Sequence, residues 1–504
     1  MFRLLSPLLI SGTLGWLVLR LFFRPLGAWL RIPFYVALGV PIGAGLFGIS
    51  SLVTFLVWRA GPAPIAAAFL LPAALAAGAA QLQSYGKLFQ PMSLSCGSAD
   101  PGGSADRSGI LALLAMVLLF TCFAAAVLLA DAYATHPHGM WDAHAIWNAR
   151  ARVMFRSPGH WRDVLLPPHP HPDYPLTLST LVYTGWTMLG SEARSVPFSL
   201  GVAFLYVGAA VVGVGLAIWK GIAWGLAAAS LILCSLGYVR LAGWQYADTP
   251  LSVLIVAAVV LFTLAYRNEK VSGPVLALAG AVAALCGWMK NEGTPILFGF
   301  LFGLTLGCIL LRRTEGWLRQ VGWFCAGAAL PVAILQYYRS LTPPNDIVHA
   351  ALSAATWQKL ADPQRWLTIA RSDGAAWWSG PSTIPPLAII LLFVWIVAGI
   401  RVEANLRVPL IAGLGALIGA AAAHFAAYVV SPHPLAWHLG NSVDRVALQL
   451  MPAMVFLSFG LVRSDFLMGA PPAEPDRSTT GAANSAPAPT SKDEKRKTAS
   501  KKKR

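Results

Sequence analysis

The chain has 504 residues, of which 57% are hydrophobic and only 12% charged. A soluble globular domain carries about 25% charged residues, so an ordinary water-soluble fold is excluded. The net charge of +16 would suit nucleic acid, but it lies in short loops and in a terminal run, "KDEKRKTASKKKR". That placement fits membrane topology and anionic headgroups rather than base readout, so the expected surface partner is membrane lipid and no nucleic acid is expected.

Apolar runs long enough to cross a hydrocarbon core about 30 Å thick recur along the chain, which predicts an all-α polytopic membrane protein. A membrane barrel would show ten-residue alternating segments instead, and none are present. The expected spans, about thirteen, are 4–23, 34–58, 63–82, 109–130, 197–218, 222–238, 249–266, 273–289, 295–312, 321–338, 383–400, 408–430 and 446–463. The first lacks a small-residue cleavage site and is read as a retained span. Residues 1–82 therefore form a three-span N-terminal unit, 83–108 a cytoplasmic linker, 109–463 the main membrane domain, and 464–504 a disordered basic tail. The six cysteines form no CxxC pair and read as small core residues.

The basic turns "RRTEGWLRQ" (312–320) and "RVEANLR" (401–407) face the cytoplasm by the positive-inside rule. This places 131–196, 239–248, 289–294, 339–382 and 431–445 together on the opposite side. The stretch 175–190, "PLTLSTLVYTGWTMLG", is short and rich in Thr, and a crossing there would invert every later loop. It is expected as an interfacial or re-entrant helix of the outer side.

The polar side chains of the chain collect in those outer loops, and ionisable groups at span ends are functional candidates. Asp142 opens an amphipathic stretch in which Ile146, Ala149 and Val153 share a face, with Trp141 and Trp147 flanking it. Arg150, Arg152 and Arg156 either snorkel to headgroups or contribute to a site. Asp248 precedes "TP" and reads as a helix N-cap, a functional acid, or both. Lys290 and Glu292 are two apart and do not face each other on a helix. Asp444 and Arg445 suggest a local ion pair at a span entrance. His169, His171 and Asp173 lie in a proline-rich run, but no HExxH or CxxC spacing is present, so zinc is not expected. A divalent cation at Asp142 or Asp173 stays open, and no other cofactor is expected.

The succession of an outer Asp with aromatics, "HPDYPL" (171–176), "YADTPL" (246–251), "KNEG" (290–293) and "DRVALQLMP" (444–452) resembles the C-type (GT-C) membrane glycosyltransferases. That group includes bacterial aminoarabinose transferases and enzymes similar to protein O-mannosyltransferases. The resemblance implies transfer of a sugar from a polyprenyl-phosphate donor to a lipid, glycan or protein acceptor on the periplasmic face of a bacterial inner membrane, with the tail cytoplasmic. It makes Asp142 the base on the acceptor hydroxyl and Asp248 an orienting acid. It turns Lys290 and Arg445 toward the lipid phosphate. Glu292, Tyr246, His171 and Trp141 complete the expected binding residues. The family often has Asp-Glu at the first site, whereas Ala143 follows Asp142 here, which leaves Asp173 as a rival base or cation ligand. A carboxylate base and a cationic partner for the leaving phosphate are what glycosyl transfer needs. The absence of Walker A and GxGxxG motifs agrees with a lipid-borne donor. The alternatives are a transporter or flippase of polyprenyl-linked sugars, which would place ionisable groups at the bilayer midplane where only His424 lies, and an O-antigen ligase-like transferase.

Overall fold

The computed structural model describes residues 2–463 and 466, apart from 25–26, 85–88, 90, 95–104, 269, 314, 352 and 354. Most of the expected linker and nearly all of the expected tail lie outside the described residues. The chain opens with α1 (Ser6–Phe22), α2 (Ala28–Val57), α3 (Pro62–Ser84) and α4 (Ala105–Thr135). A π-helical turn (Ala143–Trp147), α5 (Asn148–Arg156) and α6 (Thr177–Leu189) follow in the first large loop. The bundle continues with α7 (Ser195–Trp219), α8 (Ile222–Cys234), α9 (Leu236–Gly243), α10 (Asp248–Ala265), α11 (Gly273–Met289), α12 (Thr294–Leu310) and α13 (Trp317–Ser340). Short helices α14 (Asp346–Ala351) and α15 (Ala355–Leu360), with α16 (Pro363–Ser379), precede α17 (Leu387–Ala398), α18 (Arg407–Val430) and α19 (Leu435–Gly460).

This is an all-α polytopic membrane protein, and each of the thirteen expected segments falls on a helix. Among the described residues nine helices are long and apolar enough to cross a bilayer. The helices α8 and α9 form a bent pair with a 65° break, and α1, α11 and α17 are apolar but shorter. The break is satisfied chemically rather than left open. The Ser235 hydroxyl donates to the Pro381 carbonyl at 2.7 Å and accepts from the Tyr238 amide, while Gly237 N–H also reaches Pro381 O. Backbone groups freed at a kink in lipid need such partners.

Small residues set the closest helix contacts. A Cβ on Gly43 would lie 1.7 Å from the Ser11 carbonyl, so α1 and α2 touch backbone to backbone. Gly299 and Gly303 give α12 the same intimacy with α18 around Gly415 and Ala412. Packing of this kind, not water exclusion, holds helices together in lipid. The first helices are not peripheral: α2 packs against α6, α7, α10 and α11.

The helix α10 is the central pillar, with all its residues from Asp248 to Ala265 buried against α2, α7, α11, α18 and α19. The segment expected as an interfacial helix is instead enclosed by protein. Residues Thr177 to Trp186 of α6 are all buried, and two of their threonine hydroxyls are absorbed within the helix, Thr180 donating to Thr177 O and Thr184 to Thr180 O, while Thr177 donates to Trp288 O. Back-bonding of this kind lets a Thr-rich helix sit in the interior.

Candidate functional site

The N-terminal end of α10, the C-terminal end of α11 and the N-terminal half of α19 meet the start of the first large loop in a buried ion network. Arg445 Nη2 lies 2.5 Å from Asp142 Oδ2 and 2.9 Å from Asp248 Oδ2. Lys290 Nζ lies 3.2 Å from Asp248 Oδ1 and 2.8 Å from Glu292 Oε1. Gln449 Nε2 donates to Asp248 Oδ1 at 2.5 Å, one helical turn beyond Arg445 on the same face of α19. The Arg445 guanidinium also lies over the Tyr246 ring, 4.3 Å from its centroid. Three carboxylates thus face two cations. Asp248 is fully buried, while Asp142 and Arg445 each keep 15% side-chain exposure and form the open end.

Local backbone explains why these groups meet. Asp248 does not cap α10: Ala247 is the N-cap, and the Asp248 carboxylate reaches Lys290, Arg445 and Gln449 instead. The helix α11 ends at Met289, and Lys290 takes an extended conformation (φ −159°, ψ 149°) before a 3-10 turn over Asn291–Gly293. That break lets Lys290 and Glu292 pair although a continuous helix would separate them. Arg445 bypasses Asp444 and joins distant loops. Burial works against the Lys290 ammonium, but the carboxylates of Asp248 and Glu292 outweigh it and hold its pKa above the ordinary lysine value. Burial and the Asp142 carboxylate push the Tyr246 phenol up to about 12.

The expected amphipathic face after Asp142 is re-phased. The π turn over Ala143–Trp147 inserts a residue, so Ala143, Trp147, Ala151 and Met154 are buried while Ala149 and Val153 are only half-buried. Trp141, beside Asp142, is 55% exposed at the mouth of the network. Arg150 does not snorkel. It is buried and donates to the carbonyls of Pro170, His171 and Tyr174, clamping the "HPDYP" loop from below. Tyr338 of α13 donates to Pro172 O and Tyr174 O from the side. Arg152 and Arg156 both pair with Glu192.

The clamp sets Asp173 apart from Asp142. Asp173 Oδ2 accepts from Asn291 Nδ2 at 2.5 Å and from Asn345 Nδ2 at 2.7 Å. The two carboxylates belong to different hydrogen-bonded sets, Asp142 with Arg445 and Asp173 with two amides. Among the described residues no group of three His, Cys, Asp or Glu converges as a metal site. The donor set does not fit a cation shared by Asp142 and Asp173. His171 adopts φ 48° and stacks on Tyr174, which stacks in turn on Trp147. Tyr174 Oη reaches Glu292 Oε1 at 3.4 Å and links the two sets.

Beyond Asp173 lies a groove of about 1040 Å³ along α12 and α18. Phe298, Phe302, Leu414 and Ile418 line it with exposed apolar side chains. Asp173, Asn291, Arg339 and Asn345 form its polar head. Sequence reasoning passed over Gln449, Tyr174, Asn291, Arg339 and Asn345. Gln449 was findable as a lone polar residue four positions after Arg445, whereas the others depend on how loops fold back. His424, buried in α18, lies in the field of Glu292, Lys290 and Asp248, with Nε2 unpartnered. No family model, curated protein or solved structure matches the chain.

Proposed function

We propose that this membrane protein is a glycosyltransferase that moves a sugar from a polyprenyl-phosphate donor to an acceptor hydroxyl. The observation that carries the reading is the buried chain of ion pairs from Glu292 through Lys290, Asp248 and Arg445 to the half-open Asp142, which Tyr174, the chain neighbour of Asp173 at the groove head, joins through Glu292. A lipid-borne donor would enter at the groove and the acceptor at the exposed end beside Trp141 and Tyr246. Buried unlike charges are weak evidence for stability, so a network this deep in an apolar bundle is better understood as a working site.

In this reading Asp142 takes the proton of the acceptor hydroxyl, whose oxygen attacks the anomeric carbon. The bond from that carbon to the phosphate oxygen breaks, and its electron pair leaves on the phosphate. Arg445 and Lys290 offset the developing charge, with Asp248 holding both cations in place and Gln449 holding Asp248. The proton then passes from Asp142 to water, and the single displacement inverts the anomeric centre. Asp173 serves the groove head rather than proton transfer. The short helices α1, α11 and α17 and the bent pair complete thirteen crossings, with the site on the periplasmic face of a bacterial inner membrane.

The test is transfer from a panel of polyprenyl-phosphate sugars to cell-envelope acceptors by purified wild type and Asp142→Asn. The expectation is one donor consumed by wild type and slowed at least about 100-fold in the variant. Equal rates would move the base elsewhere. If wild type turns over no donor, the transferase reading falls and lipid translocation becomes the activity to measure.

A further inference from the structure

The two cations expected to face a lipid phosphate are already engaged by carboxylates: Lys290 by Asp248 and Glu292, Arg445 by Asp142 and Asp248. With three carboxylates to two cations, the network cannot by itself anchor a resting phosphate. The groove head offers a different cation. Arg339, in the last turn of α13, lines the groove and is half-buried. It donates through Nη2 to the neutral Thr294 hydroxyl at 2.9 Å and makes no ion pair among the described residues.

Asp173, the one acid in the groove wall, acts on Arg339 through its charge without pairing with it directly, its Oδ2 being held by the amides of Asn291 and Asn345. The first turn of α12, at Thr294 and Pro295, lines the same head and adds its helix dipole. From Thr294 to Leu306 the apolar wall runs about 18 Å at the rise of an α-helix. A half-buried guanidinium with no direct ion pair among the described residues, at the head of a long hydrocarbon-lined groove, matches a phosphate on a single long apolar chain.

We propose that Arg339 is the phosphate anchor of the polyprenyl donor, whose chain lies along α12 and α18. This rests on the function proposed above, but its test does not need a sugar. The full-length protein in detergent is mixed with a sugar-free long-chain polyprenyl phosphate, and bound lipid is counted by native mass spectrometry. The matching polyprenol, phosphatidic acid and inorganic phosphate form the parallel arms.

Arg339→Gln is expected to weaken polyprenyl phosphate binding about tenfold or more while leaving polyprenol binding unchanged, and Arg339→Lys to restore part of the loss. A purely structural role would lower both lipids together. Ala422→Trp, which fills the groove from an exposed position, is expected to weaken phosphate and alcohol alike. Equal binding of polyprenyl phosphate by wild type and Arg339→Gln would overturn the anchor. Phosphatidic acid competing as well as polyprenyl phosphate would make the groove a general lipid site and overturn the assignment. Inorganic phosphate binding that depends on Arg339 but ignores Ala422→Trp would overturn the role of the groove. Arg339-dependent lipid binding in a protein that transfers no sugar would keep the anchor and refute only the transferase.

Discussion

Arg445 joins two carboxylates, so its removal should be the most disruptive single change in the network. In Arg445→Gln, one cation remains against three carboxylates, and Asp248 has no exposure through which water could compensate. Breaking a buried pair from one side costs about 3–5 kcal/mol. Lys290 and Gln449 still hold Asp248, and Asp142 regains water, which places the loss near about 3 kcal/mol. In Asp248→Asn, by contrast, two carboxylates balance two cations and only the amide group lacks a partner, a loss of about 1–2 kcal/mol. The double variant removes both members of one pair, so its loss should fall short of the sum by about 2 kcal/mol. Thermal unfolding in detergent, followed by a thiol dye reaching the buried Cys286 and Cys308, gives the four midpoints. Equal losses for the two single variants, or strict additivity in the double, would refute the charge imbalance argument.

Other consequences can be checked separately. Arg150→Met should remove a charged donor from three loop carbonyls at once, leaving Tyr174 O to Tyr338 and His171 O to the Tyr174 amide, and limited proteolysis should then cut within 166–174 in the folded protein; an intact loop would deny the clamp its role. Gly43→Leu should separate α1 from α2 and cost about 1–3 kcal/mol, read as a lower unfolding midpoint, whereas Gly78→Leu, with open space around it, should be neutral. The Glu192 carboxyl is held below its ordinary value by the hydrogen bond from Arg156 and then that from Arg152. Its stabilising effect on the first large loop is therefore complete above the unfolded glutamate pKa of about 4.3 and fades as pH falls through the native value. Amide protection factors in 148–156, taken relative to the intrinsic rate at each pH, should fall in acid for wild type and lose that dependence in Glu192→Gln.

The helical bundle was legible because a bilayer demands runs of a definite length and composition, and every expected span landed on a helix. So was the grouping of loops. Asp142, Asp248, Lys290 and Arg445 come from four segments assigned to one side, and they meet within hydrogen-bond distance. What failed was local pairing read from spacing. Lys290 and Glu292 meet because the helix stops between them and their neighbours, and Arg445 prefers two distant acids to the adjacent Asp444. Arg150 looked like a snorkelling residue because nothing in its surroundings along the chain shows three carbonyls folding back over it. The burial of α6 was hidden for a related reason: its threonine hydroxyls find carbonyls within the helix or on Trp288, which sequence polarity alone counts as exposure.

The encasement of α10 bears on how the chain is built. Asp248 and Lys290 are synthesised well before Arg445 and Gln449, which arrive only with α19, the last of the described helices. Until then the tip of α10 carries an acid with a single cation beside it, in a membrane that tolerates neither alone. Docking of α19 therefore both closes the bundle and neutralises its centre. A nascent chain stalled before residue 435 would expose an unmatched charge to lipid, a feature by which membrane quality control can tell it from the finished protein.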